Sequence, residues 1–498
     1  MNAALIVIFG FLLLSLYLGI RAKKGKDMNL EQWTVGGRGF GALFVFLLMA
    51  GEIYTTFTFL GGSAWAYGKG GPALYILAYI SLSYILGYFF LPLIWKYAKE
   101  NNLMSQPDFF ATKYKSPFLG IVVSFVGVIA MIPYLILQFK GLGIIVSEAS
   151  YGSISPSFAI WIGAISLTIY VMVSGIHGSA WTAVIKDIMI FAIVIFLGIY
   201  MPFHYYGGLQ PMFEAVHTAN PTFLALPEKG LGISWFISTV VLTVLGFYMW
   251  PHTFGAVYSA QNEKVFRKNA IVSPLYTLML LFVFFVGFTA ILQVPGLKGS
   301  EQDLSLLRLS VKTFDPWLVG FVGAAGLLTA LVPGSMLLMA SGTSLAKNIY
   351  KVVVPSATDL QVSKLAKYLV PVVSLISVYF TLNGGNTIVT LLLMGYSLVT
   401  QLFPCFLFSL MKNNFVTKYG ACAGIIVGIC IVTYITVTKT TVGTLLPSLP
   451  QGVKDLNVGV IALIMNITVL VIVSLATRNF AASKKVEPME NIQTTMIK

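Results

Sequence analysis

Charge is what this chain has least of. Of its 498 residues only 10% are Asp, Glu, Lys or Arg, where soluble globular domains carry about 25%. With 57% hydrophobic residues and a mean hydropathy of +0.86, it reads as an all-α integral membrane protein. Cysteine is scarce too. Cys405, Cys422 and Cys430 lie in or beside apolar runs, with neither metal-ligand spacing nor a disulfide framework. His177, His204 and His217 fall in loops or at the ends of apolar runs and form no metal cluster. No GxxxxGK[ST] loop is present, which argues against ATP-driven transport. Polar stretches long enough for a soluble domain are missing as well, which favours transport over a membrane-tethered enzyme.

Long apolar runs are what remains. Windows near 20 residues give about thirteen spans, at 3–20, 40–68, 73–95, 119–147, 157–174, 181–203, 232–260, 270–293, 318–346, 366–383, 387–411, 420–438 and 458–477. The first is followed rather than preceded by "RAKKGK", so it reads as a span and not as a cleavable signal. Of 31 Lys and Arg, 22 fall after odd-numbered spans or in the tail, 7 on the other side, and Lys140 and Lys186 inside spans. Basic loops face the cytoplasm. The expected orientation is therefore N-terminus outside and C-terminus inside, in a multi-pass protein of the plasma membrane. The net charge of +14 then faces an anionic lipid leaflet and needs no nucleic acid. No obligate protein partner is evident, and the tail 478–498 is polar.

Spans two, seven and nine are longer than a bilayer requires. Span two carries "LLMAGEIYTTFTF", with Glu52 in its middle and no basic residue within ten positions. Span seven carries "LGFYMWPHTFG". There Pro251 removes an amide donor, and Gly246 eases departure from helical geometry. The two are five spans apart, so spans 2–6 and 7–11 form two five-helix halves, each opening on an interrupted helix. An odd number of spans per half inverts the second relative to the first, the pattern of a transporter with a mid-membrane site at broken helices. A carboxylate at such a depth costs about 2.5–3.5 kcal/mol or more. Glu52 therefore faces a cavity, a cation or a proton, or else braces the break through a neighbouring helix.

The segments "WTVGGRGFG", "LLMAGEIYTTFTFLGGSAWAYGKG", "MSQPDFF", "GFYMWPHTFGAVYSAQNEKVFRKNA" and "TSLAKNIYK" together resemble the sodium:solute symporter family. Within it, "MIPYLILQ", "WPH" and the "KD" of span six are similar to bacterial monocarboxylate permeases. The resemblance implies about 13 transmembrane helices with a 5+5 inverted-repeat (LeuT-like) core. The expected divisions are 1–39, first span and cytoplasmic loop; 40–203, first repeat; 204–231, extracellular loop; 232–411, second repeat; 412–477, two further spans; and the tail. It also implies sodium held by main-chain carbonyls of Ala50, Ile53 and Thr329, with two neighbouring hydroxyls from span nine. At those two positions this chain has Val332 and Pro333, neither with a side-chain oxygen. Ser335 is close by, and a register slip across Pro333 and Gly334 would let it or Thr329 take over. Span six departs as well. Where the family reads "WTD", this chain reads "WTAVIKD", with Ala183 at the acid position and Lys186 one turn on. In the same fold some proton-coupled transporters place a lysine ammonium where sodium binds. An ammonium about 4 Å from sodium would oppose it by roughly 4 kcal/mol at an effective dielectric of 20, about three decades of affinity. Lys186 either fills that role as proton carrier or snorkels to the cytoplasmic face. Asp187, its neighbour, is expected about 100° round the helix.

The expected function is an ion-coupled symporter importing a small organic solute, a monocarboxylate first and an amino acid second. Sodium is the coupling ion by family, and the departures favour the proton; no cofactor is expected beyond that ion. The alternatives are a channel or a transporter-like sensor. Candidate substrate contacts are Gly51, Glu52, Tyr54, Tyr134, Gln138, Trp250 and His252, where exposed amides at a half-helix N-terminus favour a carboxylate. Lys140 either adds a positive charge for the same anion or reaches to the outer interface, and His252 either contacts substrate or makes a structural hydrogen bond. Candidate ion-coupling groups are Ala50, Glu52, Ile53, Lys186 and Thr329.

Overall fold

A computed structural model describes residues 2–51 and 53–483. Glu52 and the tail beyond residue 483 lie outside the described residues. The architecture is helical, and among the described residues the β contact outside helices is a single parallel bridge between Phe40 and Ala260. The helices that matter here are α1 (Ala3–Ala22), α2 (Ala42–Ala50), α3 (Gly62–Lys69), α4 (Tyr75–Glu100), α5 (Gln106–Lys113), α6 (Pro117–Ala149), α7 (Pro156–Tyr206), α8 (Ile233–Gly246), α9 (Pro251–Tyr258), α10 (Lys264–Thr277), α11 (Leu280–Gln293), α12 (Pro316–Thr343), α13 (Asp359–Asn383), α14 (Ile388–Val399), α15 (Lys418–Thr438) and α16 (Val458–Ser483).

Among the described residues, ten helical stretches are long and apolar enough to cross a membrane, eleven if the bent α8–α9 pair is one span. Two features separate this number from thirteen. First, α7 runs 51 residues without a loop, about 76 Å at 1.5 Å per residue, against a hydrocarbon core of about 30 Å. It breaks at Gly175, whose φ of 54° and ψ of −150° are non-helical. A Cβ there would stand 2.5 Å from Trp33 Cδ1 and 2.6 Å from its carbonyl oxygen, so only glycine fits. Beside the break, the buried Trp33 indole donates to the Val171 carbonyl at 3.1 Å.

Second, span two is in pieces. After α2 the chain turns through Gly51 and residues 53–55, then passes through a π-helical turn, Phe57–Gly61, into α3. The threonines of "IYTTFT" explain the restart. Thr58 Oγ1 donates to the Ile53 carbonyl at 2.5 Å and accepts from the Thr55 amide at 3.1 Å, while Thr55 Oγ1 caps the Phe57 amide at 3.1 Å. Such hydroxyls offer the backbone partners that compete with regular helix. Span seven breaks as its proline requires: α8 ends at Gly246, Pro251 starts α9, and the two are bent by 46°.

The almost wholly buried α12 is the hub, packed against α1, α6, α7 and α13. Its glycines let neighbours in closely: Gly320 faces Ala4, Gly323 faces Ile8, and Gly326 faces Phe59 and Ile145.

Candidate functional site

The candidate residues fall into three neighbourhoods. The first is aromatic. Tyr134 of α6 lies 5.0 Å, centroid to centroid, from Trp250 and 5.6 Å from His252. Trp250 in turn lies 5.3 Å from Tyr396 of α14, which is 5.6 Å from Tyr79 of α4. All five are buried. Gly395 makes this approach possible, since a Cβ there would stand 2.6 Å from the Trp250 ring. Gln138, one turn above Tyr134 on the same face of α6, is fully buried.

The second joins span two to spans six and eight. Tyr54 lies here, away from the aromatic group. Its hydroxyl donates to the Tyr276 carbonyl at 3.0 Å, and the two rings are 4.8 Å apart. The Tyr276 hydroxyl donates to Asp187 Oδ1 at 3.0 Å. Lys186 Nζ stands 3.0 Å from that same oxygen, with the lysine side chain fully buried. Lys186 therefore does not snorkel, and Asp187 is its partner in spite of the helical offset. Asp187 Oδ2 has no hydrogen-bond partner among the described residues.

The third is the position the resemblance assigns to sodium. Leu47 of α2, Ala183 of α7 and Val332 of α12 make one buried apolar cluster, with Phe46 and Val184 packed against it. A Cβ on Gly51 would stand 3.3 Å from Val332 Cγ1, so Gly51 belongs here too. The Ala50 carbonyl accepts from the Ile53 and Tyr54 amides at 2.9 and 3.1 Å. The Ile53 carbonyl accepts from Thr58 Oγ1 and the Thr55 amide. Thr329 Oγ1 donates to Gly326 at 2.5 Å, and Ser335 Oγ donates to Val332 at 2.6 Å while paired to Ser179. The Ala50 and Ile53 carbonyls and the Thr329 and Ser335 hydroxyls thus have hydrogen-bond partners within the protein, and Leu47, Ala183 and Val332 pack together between their helices. Pro333 has no amide to offer the Thr329 carbonyl, the oxygen that the resemblance names.

Lys140 is paired outside these three neighbourhoods. Its ammonium pairs with buried Asp303 at 2.6 Å and with the Asn386 carbonyl at 2.8 Å. Below His252, a narrow crevice lined by Thr34, Ser105, Pro251, Thr343 and Ser344 ends at a polar cluster built by two of the quoted motifs. There Asp108 accepts from Asn348 Nδ2 at 2.6 Å and from the Met104 and Ser105 amides at 2.9 and 3.1 Å, and it pairs with Lys347. Burial pushes the Asp108 carboxyl up, but the Lys347 ammonium and these hydrogen bonds outweigh it and hold the group below the usual aspartate range.

Sequence reasoning did not single out Thr56, Tyr79, Tyr276 or Tyr396. All four come from apolar or aromatic runs in which nothing marks one face from another; Thr56 alone stood inside a quoted motif.

Apolar helices broken inside their runs, with buried charge and aromatic groups gathered at the breaks, define a polytopic solute transporter. The chain belongs to the sodium:solute symporter family, whose model matches residues 33–428. It is similar to the uncharacterized symporter YhjB of Bacillus subtilis, at 72% identity over 478 residues, 96% of this chain and 98% of that one. It is 28% identical over 485 residues to a monocarboxylate transport permease protein of Rhizobium johnstonii, covering 95% of this chain and 96% of that one. Among solved structures, the substrate-bound outward-open state of a Na+-coupled sialic acid symporter shares the fold, with a TM-score of 0.78 and 17% identity over 96% of this chain and 98% of the other. Family and neighbours are symporters of the membrane rather than enzymes.

Proposed function

We propose that this symporter imports a small monocarboxylate by alternating access and that the proton, not sodium, drives it. The observation that carries the coupling ion is the apolar cluster of Leu47, Ala183 and Val332 at the place the resemblance gives to sodium. Lys186 supports it from one turn beyond Ala183, on the same face of α7. Asp187 offsets the lysine's charge, so repulsion by the ammonium weighs less than sequence alone suggests, and the missing oxygen shell weighs more. The Lys186–Asp187 pair is the proton-carrying element in this reading, with the unpartnered Asp187 Oδ2 as acceptor and Tyr276 and Tyr54 linking it to the break in span two. Glu52, at that break in the sequence, is the second coupling group.

The monocarboxylate rests on similarity to the Rhizobium permease, with Tyr134, Gln138, Trp250 and His252 as its contacts. Counting interrupted span two as one crossing, and α7 as two joined at Gly175, makes thirteen spans, ten of them in two five-helix repeats. A tag on the N-terminus is then external and one on the C-terminus cytoplasmic; both on one side would overturn this topology. Function is tested by uptake of labelled lactate, pyruvate, acetate and proline into proteoliposomes under imposed pH or sodium gradients. Accumulation of a monocarboxylate under a pH gradient is expected. Accumulation of proline alone, or under sodium alone, would overturn the reading.

A further inference from the structure

Among the described residues, Gln138 is the one side-chain amide with both polar atoms buried and without a hydrogen-bond partner. Exchanging its oxygen and nitrogen would not help, because each position lacks a partner. A third such atom lies beside it. Thr56, fully buried at the restart of span two, has an unpartnered Oγ1. That oxygen would be 3.0 Å from a Cβ on Gly141, and Gly141 is one turn from Gln138 on the same face of α6. Three unpaired polar atoms thus lie on or against one face of α6, between the Tyr134–Trp250–His252 wall and the break of span two. Buried polar groups are paired in nearly all native structures, and a few convergent polar groups in an aromatic setting are the mark of a small-molecule site.

The chemistry of the three atoms restricts the ligand. Gln138 Nε2 carries two donors and Thr56 Oγ1 one, and these suit a carboxylate. Gln138 Oε1 can only accept, so it needs a donor on the same small ligand. An unsubstituted or 2-oxo acid has none when ionised and would leave Oε1 buried and unpaired. We infer that Gln138 and Thr56 select a 2-hydroxy monocarboxylate: Nε2 and Thr56 Oγ1 hold the carboxylate, and Oε1 accepts from the 2-hydroxyl. The inference rests on the monocarboxylate reading above and specifies which acids that site prefers.

The test is competition against labelled lactate uptake in reconstituted wild-type protein, by unlabelled lactate, propionate, pyruvate and alanine, with ligand-induced thermal stabilisation as a readout independent of transport. Sites built to pair a substrate hydroxyl discriminate strongly against analogues lacking it. Lactate should therefore compete at least about ten-fold better than propionate or pyruvate. Gln138→Leu should bring the lactate-to-propionate ratio to within about three-fold, because it removes the hydroxyl's acceptor. Thr56→Val should weaken both acids alike and leave the ratio unchanged. Equal wild-type competition by lactate and propionate, a ratio unmoved by Gln138→Leu, or alanine outcompeting lactate would overturn the inference. In the first two cases the monocarboxylate reading survives. If none of the three acids binds, that reading fails instead.

Discussion

Val332 of α12 and Ala183 of α7 share one buried apolar cluster. They come from distant parts of the sequence: Val332 stands where the family resemblance expects a hydroxyl ligand, and Ala183 where it expects an acid. With Leu47 they pack the space between their helices with apolar side chains.

The Lys186–Asp187 pair should behave as a unit. Breaking a buried ion pair by removing one partner costs about 3–5 kcal/mol, while replacing both by apolar groups is often neutral. Lys186→Met and Asp187→Leu should each lower thermal stability strongly. The double variant should regain most of the loss yet show no pH-driven accumulation. Wild-type accumulation by the double variant would remove the pair from coupling.

Restoring oxygens should restore sodium. Val332→Ser alone buries a hydroxyl at about 1–3 kcal/mol and should not make uptake sodium-dependent. Combined with Pro333→Ser and Lys186→Ala, it should make uptake at fixed pH rise with sodium. Sodium stimulation already present in wild type would contradict this.

Asp108 gives a pH signature. Its carboxyl is held below the usual aspartate range, which lies near 3.9. A depressed folded-state value contributes stability that is full above the unfolded value and is lost as pH falls through the folded one. Thermal unfolding of wild type should therefore lose stability below about pH 4 more steeply than Asp108→Asn. At pH 7 the variant should be about 1–3 kcal/mol less stable, discounted because Lys347 is 23% exposed. Parallel acid profiles would show that the pair contributes nothing.

Glu52 is assigned from its position in "AGEIYTT". Glu52→Gln keeps the shape and removes the charge, and it should abolish concentrative uptake while insertion and folding persist. Undiminished accumulation would exclude a coupling role.

Much of this fold was legible because its signals are local. Gly246 and Pro251 marked the break in span seven, and the excess length of span two, with Glu52 in its middle five spans before, marked that in span two. Spans five and six were divided at 174 and 181, beside Gly175, but that the helix breaks there without a loop was not legible, because the close approach is to distant Trp33. Of the candidates named from spans two, four and seven, Tyr134, Trp250 and His252 meet, whereas Tyr54 pairs with Tyr276 instead. Such choices depend on which aromatic faces meet across helices, and a uniformly apolar run carries no trace of that. Asp187 was placed away from Lys186 by helical geometry, but the long flexible lysine side chain spans that offset.

Proton movement in the absence of sodium tests the central claim most directly. Proteoliposomes holding a trapped pH-sensitive dye, prepared in potassium buffer free of sodium at zero membrane potential, are given lactate outside. The interior should acidify at a rate that saturates with lactate and is lost in the Lys186→Met, Asp187→Leu variant. No acidification in potassium buffer, with saturable lactate uptake appearing only on adding sodium, would contradict the account.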